Sequence, residues 1–292
     1  MTAGDRSPVT VIGLGPMGSA LTRAFVDAGH RTTVWHRFHQ RPDEPAANGA
    51  IRAATLVEAV SASPLVVVRV VDHRAMREIV NSLGDATGRV VVNLTAGTAE
   101  EARDTASWAA SRGVGYIDGA ILTTAEELGA DTTVTFYGGP KALYQEHEPT
   151  LAALGGTCTY LGDDVGLPAL YEMALLGVMW SAWAGLLHGL SLVSTEHRAA
   201  TDFLPHAVRW LDRVVGSVPG LTAGVDRGEY PGTTLGHQAV VVERLLAASR
   251  AGGVDDGLPG FLLARVEQAI RRGHAGDGFA SLIEVLRDPH PD

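Results

Sequence analysis

A β-branched run ending on a glycine, Val9-Thr10-Val11-Ile12-Gly13, continues into Leu14-Gly15-Pro16-Met17-Gly18 and a helical pattern from Met17 to Ala28. Gly13, Gly15 and Gly18 carry the G-x-G-x-x-G spacing, and no other feature narrows the fold as much. The first glycine permits a tight turn, the second lets a pyrophosphate approach the backbone, and the third allows close packing of helix on strand. The helix N-terminus then turns its unpaired N–H groups toward an anion. The motif follows a strand and opens a helix, which is the context a dinucleotide site requires. Leu14, Pro16 and Met17 complete the loop and join the candidate cofactor set. A chance match in a chain with 35 glycines is the competing explanation, and the context weighs against it.

Further strand-like runs follow at Thr32–Trp35, Leu65–Val71, Val90–Leu94, Gly115–Ile117, Thr132–Tyr137 and Thr157–Tyr160, with helical patterns between most of them. Strands alternating with helices argue an α/β fold whose parallel sheet is wrapped by helices. After about Leu161 long helical patterns take over: Val165–Glu196, Asp202–Val218, Gly236–Ala251, Gly260–Arg272 and Ser281–Leu286, interrupted by a polar, Gly-rich stretch at Thr222–Thr234. The expected organisation is a Rossmann domain over 1–161 and an all-helical domain over 162–292, joined by a long helix at about 165–196.

No Asp, Glu, Lys or Arg lies between Glu172 and Glu196, a length sufficient to span a bilayer. Gly177, Gly185, Gly189, Ser181, Ser191 and His188 within it, and the missing basic cluster at its start, argue against insertion. A helix apolar all round is instead covered by protein, and a partner subunit is the expected source of that cover. The formal net charge of −10 disfavours nucleic acid and anionic membranes as partners. The single cysteine, Cys158, excludes an intramolecular disulfide and a multi-thiolate zinc site, and no metal is expected. The default location is cytoplasmic.

The end of the second strand selects the cofactor. An NAD site places Asp or Glu there to bond the ribose diol. This chain reads Trp35-His36-Arg37-Phe38-His39-Gln40-Arg41, with no acid before Asp43. Arg37 and Arg41 offer guanidinium forks to a 2′-phosphate, with His36 or His39 assisting. A solvated basic turn is the alternative; NADPH is favoured. Phe38, Val71 and Thr95 complete the expected cofactor-binding set.

A nucleotide domain followed by a helical domain resembles the β-hydroxyacid and 6-phosphogluconate dehydrogenases, which use a catalytic lysine on the joining helix. Here the one lysine is Lys141, well before that helix. The strand end is Asn93-Leu94-Thr95-Ala96-Gly97-Thr98 where those enzymes carry Asp-x-Ser-Thr, and Asp118-Gly119-Ala120-Ile121-Leu122-Thr123-Thr124 replaces their anion-binding motif. Ile121 and Leu122 suit a less polar substrate. With Leu170-Tyr171-Glu172-Met173-Ala174-Leu175-Leu176 and Gly236-His237-Gln238, these features are similar, over essentially the whole chain, to the NADPH-dependent imine reductases, which include reductive aminases.

That resemblance implies a domain-swapped homodimer whose active sites each combine one subunit's nucleotide domain with its partner's helical domain. It also implies reduction of cyclic imines and iminium ions to amines, with reductive amination as an extension. Glu172 stands where the family usually has Asp or Tyr facing the imine. A carboxylate there stabilises the iminium cation, or delivers the proton if burial raises its pKa. From spacing alone, Glu172 reads equally well as an exposed helix-start carboxylate. Asn93, at a strand end, and Gln238 are candidates for orienting amine or ketone partners. Trp180, two helical turns from Glu172 on the same face, is a candidate pocket wall. Trp210, His237 and Gln238 are the helical domain's implied contributions. Arg69 reads as structural. Two alternatives stay open: a hydroxyacid or ketone dehydrogenase, opposed by the missing lysine, and a non-catalytic NADPH-binding protein.

Overall fold

The computed structural model describes residues 6–37, 49–82 and 86–288. The chain divides into two compact units, Met1–Gly177 and Val178–Asp292.

The first unit holds an eight-stranded sheet of β1 (Val9–Ile12), β2 (Thr32–Trp35), β3 (Ile51–Arg52), β4 (Leu65–Val68), β5 (Val90–Asn93), β6 (Gly115–Leu122), β7 (Val134–Gly138) and β8 (Thr157–Gly162). Their spatial order is β3-β2-β1-β4-β5-β6-β7-β8. Among the described residues, the α-helices lying wholly within this unit are α1 (Pro16–Asp27), α2 (Leu56–Ser61), α3 (His73–Asn81), α4 (Ala99–Ser111) and α5 (Lys141–Leu151). Alternation along the strands divides the core between the two faces. Val9, Val11, Leu65, Val67, Val90 and Val92 pack on one side, and Ile12, Val66, Val68 and Val91 on the other. Both faces are apolar because helices cover both, so these strands read as near-continuous β-branched runs. Thr10 is the polar exception in β1, and its buried hydroxyl lies 2.8 Å from the Ala59 carbonyl oxygen and 3.0 Å from Ser63 Oγ.

The α/β class agrees with expectation, but the sheet is not wholly parallel: β6 and β7 pair antiparallel. No helix connects these two strands, and an antiparallel pair needs no crossover. The structure adds β3, α2 and α3 to the elements expected, and the strand expected over Leu65–Val71 ends at Val68. A capping box starts α4, with Thr98 and Glu101 satisfying each other's backbone N–H groups.

The long helix α6 (Leu167–Ser194) starts in the first unit and continues into the second. After it come α7 (Ala200–Arg227), α8 (Leu235–Ala251), α9 (Gly257–Ala269), a π-helical turn at Ile270–His274 and α10 (Leu282–Arg287). Leu235, Val266, Ala269, Leu282 and Val285 form the second unit's buried core. α7 does not stop at Val218 as its pattern suggests. It continues past Pro219 to Arg227 and closes at Gly228, whose φ of 68° is the left-handed conformation glycine adopts readily. Half of the stretch that reads as a Gly-rich loop is therefore helix.

By length and composition α6 could cross a membrane, and none of its most apolar window is buried within the chain. α7 also exposes large apolar side chains, Leu204, Val208, Trp210 and Val215 among them. Unlike α6, α7 carries charges along its length, at Asp202, Arg209, Asp212, Arg213 and Asp226.

A Cβ added at Gly18 would lie 1.8 Å from the Gly13 carbonyl oxygen, whereas one at Gly15 would meet nothing within 4 Å. Gly18→Ala should therefore destabilise the fold by about 1–3 kcal/mol, the usual scale of overpacking, while Gly15→Ala leaves the melting temperature unchanged. Thermal unfolding of the two variants without added cofactor checks this; equal stabilities would contradict the close approach.

Candidate functional site

Strand order reverses at β1, whose neighbours are β2 and β4, and ligands bind at such switch points beyond the strands' carboxyl ends. A cleft of about 610 Å³ lies there, lined by Ile12 and Gly13 after β1, Trp35, His36 and Arg37 after β2, and Arg69, Val70 and Val71 after β4. Gly15, Pro16, Met17 and Gly18 form its floor at the start of α1. Gly15 is the N-cap residue and Pro16 opens the helix, and no side chain caps it. The first-turn N–H groups of a helix lack intrahelical acceptors. With open space in front of Gly15, this turn fits a pyrophosphate. Gly13 could be no other residue: its φ is 96°, and a Cβ would lie 2.1 Å from the Arg69 carbonyl oxygen. The Leu14 N–H donates to His36 Nδ1 at 3.3 Å, tying the glycine loop to the end of β2. Phe38, His39 and Arg41 lie outside the described residues, so Arg37 is the described guanidinium at that end. Its Nη1 sits 2.8 Å from Glu78 Oε2 on α3.

A second group of polar residues is buried at the end of β5 and in the first half of β6. Asn93 and Asp118 are paired across the sheet. Asn93 Nδ2 donates to Asp118 Oδ1 at 2.9 Å, and the Asn93 Oδ1 accepts from the Thr95 N–H at 3.1 Å. Tyr116 donates its hydroxyl to the same Asp118 oxygen at 2.7 Å. Thr95 Oγ1 in turn accepts from the Val70 N–H. Asn93 is fully buried, and its side chain also bonds the Tyr116 hydroxyl, so Asn93, Asp118 and Tyr116 form one closed polar unit.

Glu172, on the first turns of α6, is also buried. It is not the exposed helix-start carboxylate that spacing alone allows. Burial raises its pKa, and the nearby Arg69 opposes the rise. Arg69 does make the structural bond expected of it, from Nη1 to the Leu94 carbonyl at 2.8 Å, but it also lines the cleft. The sequence offered no signal for that double placement. Asp118 is pushed up to about 7, chiefly by burial, with the Glu172 charge adding to the rise and the bonds from Tyr116 and Asn93 opposing it. Ile121 and Leu122 lie half-buried at the end of β6.

The first unit thus contains the glycine loop, His36, Arg37, Val71, Asn93, Thr95, Ile121, Leu122 and Glu172. Trp180, Trp210, His237 and Gln238 belong to the second. There Trp210 is exposed and lines an apolar groove of about 530 Å³ with Ser181, Gly185, Phe203 and His206. Trp180 is exposed on α6. His237 and Gln238 lie in the first turn of α8, which Thr234 caps by accepting from the His237 N–H. Lys141 is the first residue of α5 and exposed, and α6 carries no lysine.

A family model described as the NAD binding domain of 6-phosphogluconate dehydrogenase matches residues 8–162, and one described as NADPH-dependent reductive aminase-like, C-terminal domain, matches residues 164–288. An NADPH-dependent reductive aminase from Aspergillus oryzae is 31% identical over 286 residues, covering 96% of this chain and 97% of the relative. A reductive aminase from Aspergillus terreus, solved in complex with NADPH4, cyclohexanone and allyl amine, superposes with a TM-score of 0.88 at 36% identity, over 96% of this chain and 99% of its own. An imine reductase from Bacillus cereus gives 0.90 at 34% identity, over 97% of this chain and 100% of its own.

The buried carboxyl cluster can be tested without any ligand. A carboxyl whose pKa rises on folding, here from about 3.9 in an unfolded chain to about 7 for Asp118, favours the folded state fully at low pH. That contribution fades as pH rises through the folded value. The melting temperature should therefore fall as pH is raised from 4 to 8, and Asp118→Asn, which keeps an oxygen acceptor for Tyr116 and Asn93, should flatten the fall. A residual slope of the same sign is expected from Glu172. An Asp118→Asn profile parallel to that of the wild type would assign the titration elsewhere.

Proposed function

The chain belongs to the imine reductase and reductive aminase family, and on that premise we propose that it reduces C=N bonds to amines with NADPH as the hydride source. Cyclic imines and iminium ions are the substrate class, and reductive amination of a ketone with an amine is a further use of the same site. The observation that carries this reading is the buried carboxyl of Glu172 on a long helix that has no lysine. Hydroxyacid oxidation needs a basic group there to take the hydroxyl proton. Reduction of C=N needs the reverse, a group that stabilises a cationic nitrogen and places a proton on it. A carboxyl raised by burial and held in check by Arg69 is suited to both tasks.

The residues present fit the cofactor. The uncapped start of α1, with Gly13, Leu14, Gly15, Pro16, Met17 and Gly18, would hold its pyrophosphate. Arg37, with Arg41, His36 and Phe38, would hold the 2′-phosphate end, and Val71, Asn93 and Thr95 would border the rest. Asn93, locked by Asp118 and Thr95, would help to orient the amine or ketone partner. Ile121 and Leu122 would supply the apolar wall.

We further propose that the functional division falls at 161/162 and that the protein is a homodimer, with Trp180, Trp210, His237 and Gln238 completing the partner's active site. The unburied apolar faces of α6 and α7 support this. The charges along α7 favour a protein partner over lipid, and a soluble cytoplasmic protein is the corresponding setting. Light scattering should show a dimer that separates only on unfolding, as obligate interfaces do. A stable, active monomer would sink the shared site.

Glu172→Gln should leave NADPH affinity intact and lower kcat/KM for a cyclic imine, by roughly 10²–10⁴-fold if the carboxyl transfers the proton. With the N-methyl iminium of the same ring no proton is needed at nitrogen, and the loss should shrink. Glu172→Asp should retain activity and alter enantiomeric excess. Wild-type rates and unchanged enantiomeric excess in both variants would remove Glu172 from the site.

A further inference from the structure

We propose that Glu78 sets how strongly the cleft prefers a phosphorylated adenosine, by holding Arg37 in an ion pair that a 2′-phosphate must share or displace. This rests on the reading that NADPH is the cofactor and that Arg37 faces its 2′-phosphate. Glu78 is a residue of α3, more than forty positions beyond Arg37 in the chain. Its neighbours Ala75 and Ile79 line the cleft, as Arg37 does, so the pair lies along the cleft's rim. Glu78 Oε2 is 2.8 Å from Arg37 Nη1, and Oε1 is 3.4 Å from Arg74 Nε. Among the described residues, one carboxylate thus faces two guanidiniums.

The two arginines hold the Glu78 carboxyl below the ordinary carboxylate range, so it is ionised wherever the enzyme would work. A 2′-phosphate brings nearly two negative charges to the same guanidinium. It must compete for Arg37 donors and tolerate a carboxylate beside it. An unphosphorylated ribose meets neither cost, and its hydroxyls can use a carboxylate as an acceptor. Glu78 therefore weakens binding of the phosphorylated form relative to the plain one. Both side chains are nearly half exposed, at 47% and 44%, so water and salt screen the effect. It should amount to about 1.5-fold to fivefold, the scale of an exposed charge pair.

The test uses the full-length protein and two probes of the adenosine end alone, adenosine 2′,5′-bisphosphate and adenosine 5′-monophosphate, titrated by calorimetry. The preference is the ratio of their dissociation constants. Glu78→Gln should raise the preference for the bisphosphate by about 1.5-fold to fivefold, and the gain should shrink at high salt. In an Arg37→Ala background the gain should shrink, because only the direct repulsion between carboxylate and phosphate remains. Supporting kinetics are the ratio of kcat/KM with NADPH to that with NADH, which should move in parallel. A preference that falls in Glu78→Gln would make Glu78 an anchor that orients Arg37, and an unchanged preference would make it a bystander; either overturns the proposal while NADPH use stands. Wild-type protein that does not favour the bisphosphate at all would overturn the cofactor reading together with this one.

Discussion

The first unit's site depends on how closely the backbone passes itself between Gly13 and Gly18. With no Cβ at Gly18, the start of α1 sits against the Gly13 carbonyl, and the helix begins directly beyond β1. Its N-terminus is thereby aimed across the sheet's switch point without a side-chain cap to consume the free N–H groups. The same closure brings Gly13 under the Arg69 carbonyl. The backbone of residue 69 thus closes one end of the cleft while its side chain reaches Leu94 and the field of Glu172. Geometry at the phosphate end and charge at the carboxyl end share one arginine.

What could be read from the sequence was local. The glycine loop is a contiguous motif, its strand and helix flank it directly, and the β-branched runs identify strands because both sheet faces are covered. The long uncharged helix announces its need for cover by composition alone. The antiparallel turn of β6 onto β7 was hidden, because orientation is decided by the connection and not by the strands' own residues. The continuation of α7 to Arg227 was hidden by Pro219, an interior breaker by propensity that this helix nonetheless accommodates.

The site was legible in the same uneven way. Glu172 stood out through family resemblance, and its burial became evident only in the fold. Asn93 and Asp118 are 25 residues apart, and only pairing of β5 with β6 turns them into one hydrogen-bonded unit. Arg37 and Glu78 stand on separate elements, and only the fold brings α3 beside the end of β2. Long-range pairs of this kind leave no spacing signature, whereas a glycine motif leaves little else.

Two carboxylates near the cleft show how environment, not residue type, sets chemistry. Glu78 is exposed between arginines and is held ionised, so its effect is a fixed negative charge at the rim. Glu172 is buried, with Asp118 close enough to add to the electrostatic strain and Arg69 as the opposing charge named for it. Two acidic groups in a poorly hydrated setting, with one cation against them, are short of positive charge when both ionise. A substrate that brings a cation relieves that shortage, and a neutral ketone does not. The cluster therefore favours an iminium over the carbonyl from which it forms. That preference also fits the direction of the reaction: a carboxyl of raised pKa can carry a proton near neutrality and pass it to the imine nitrogen, the iminium pairs with the carboxylate left behind, and hydride addition at carbon then discharges the cation.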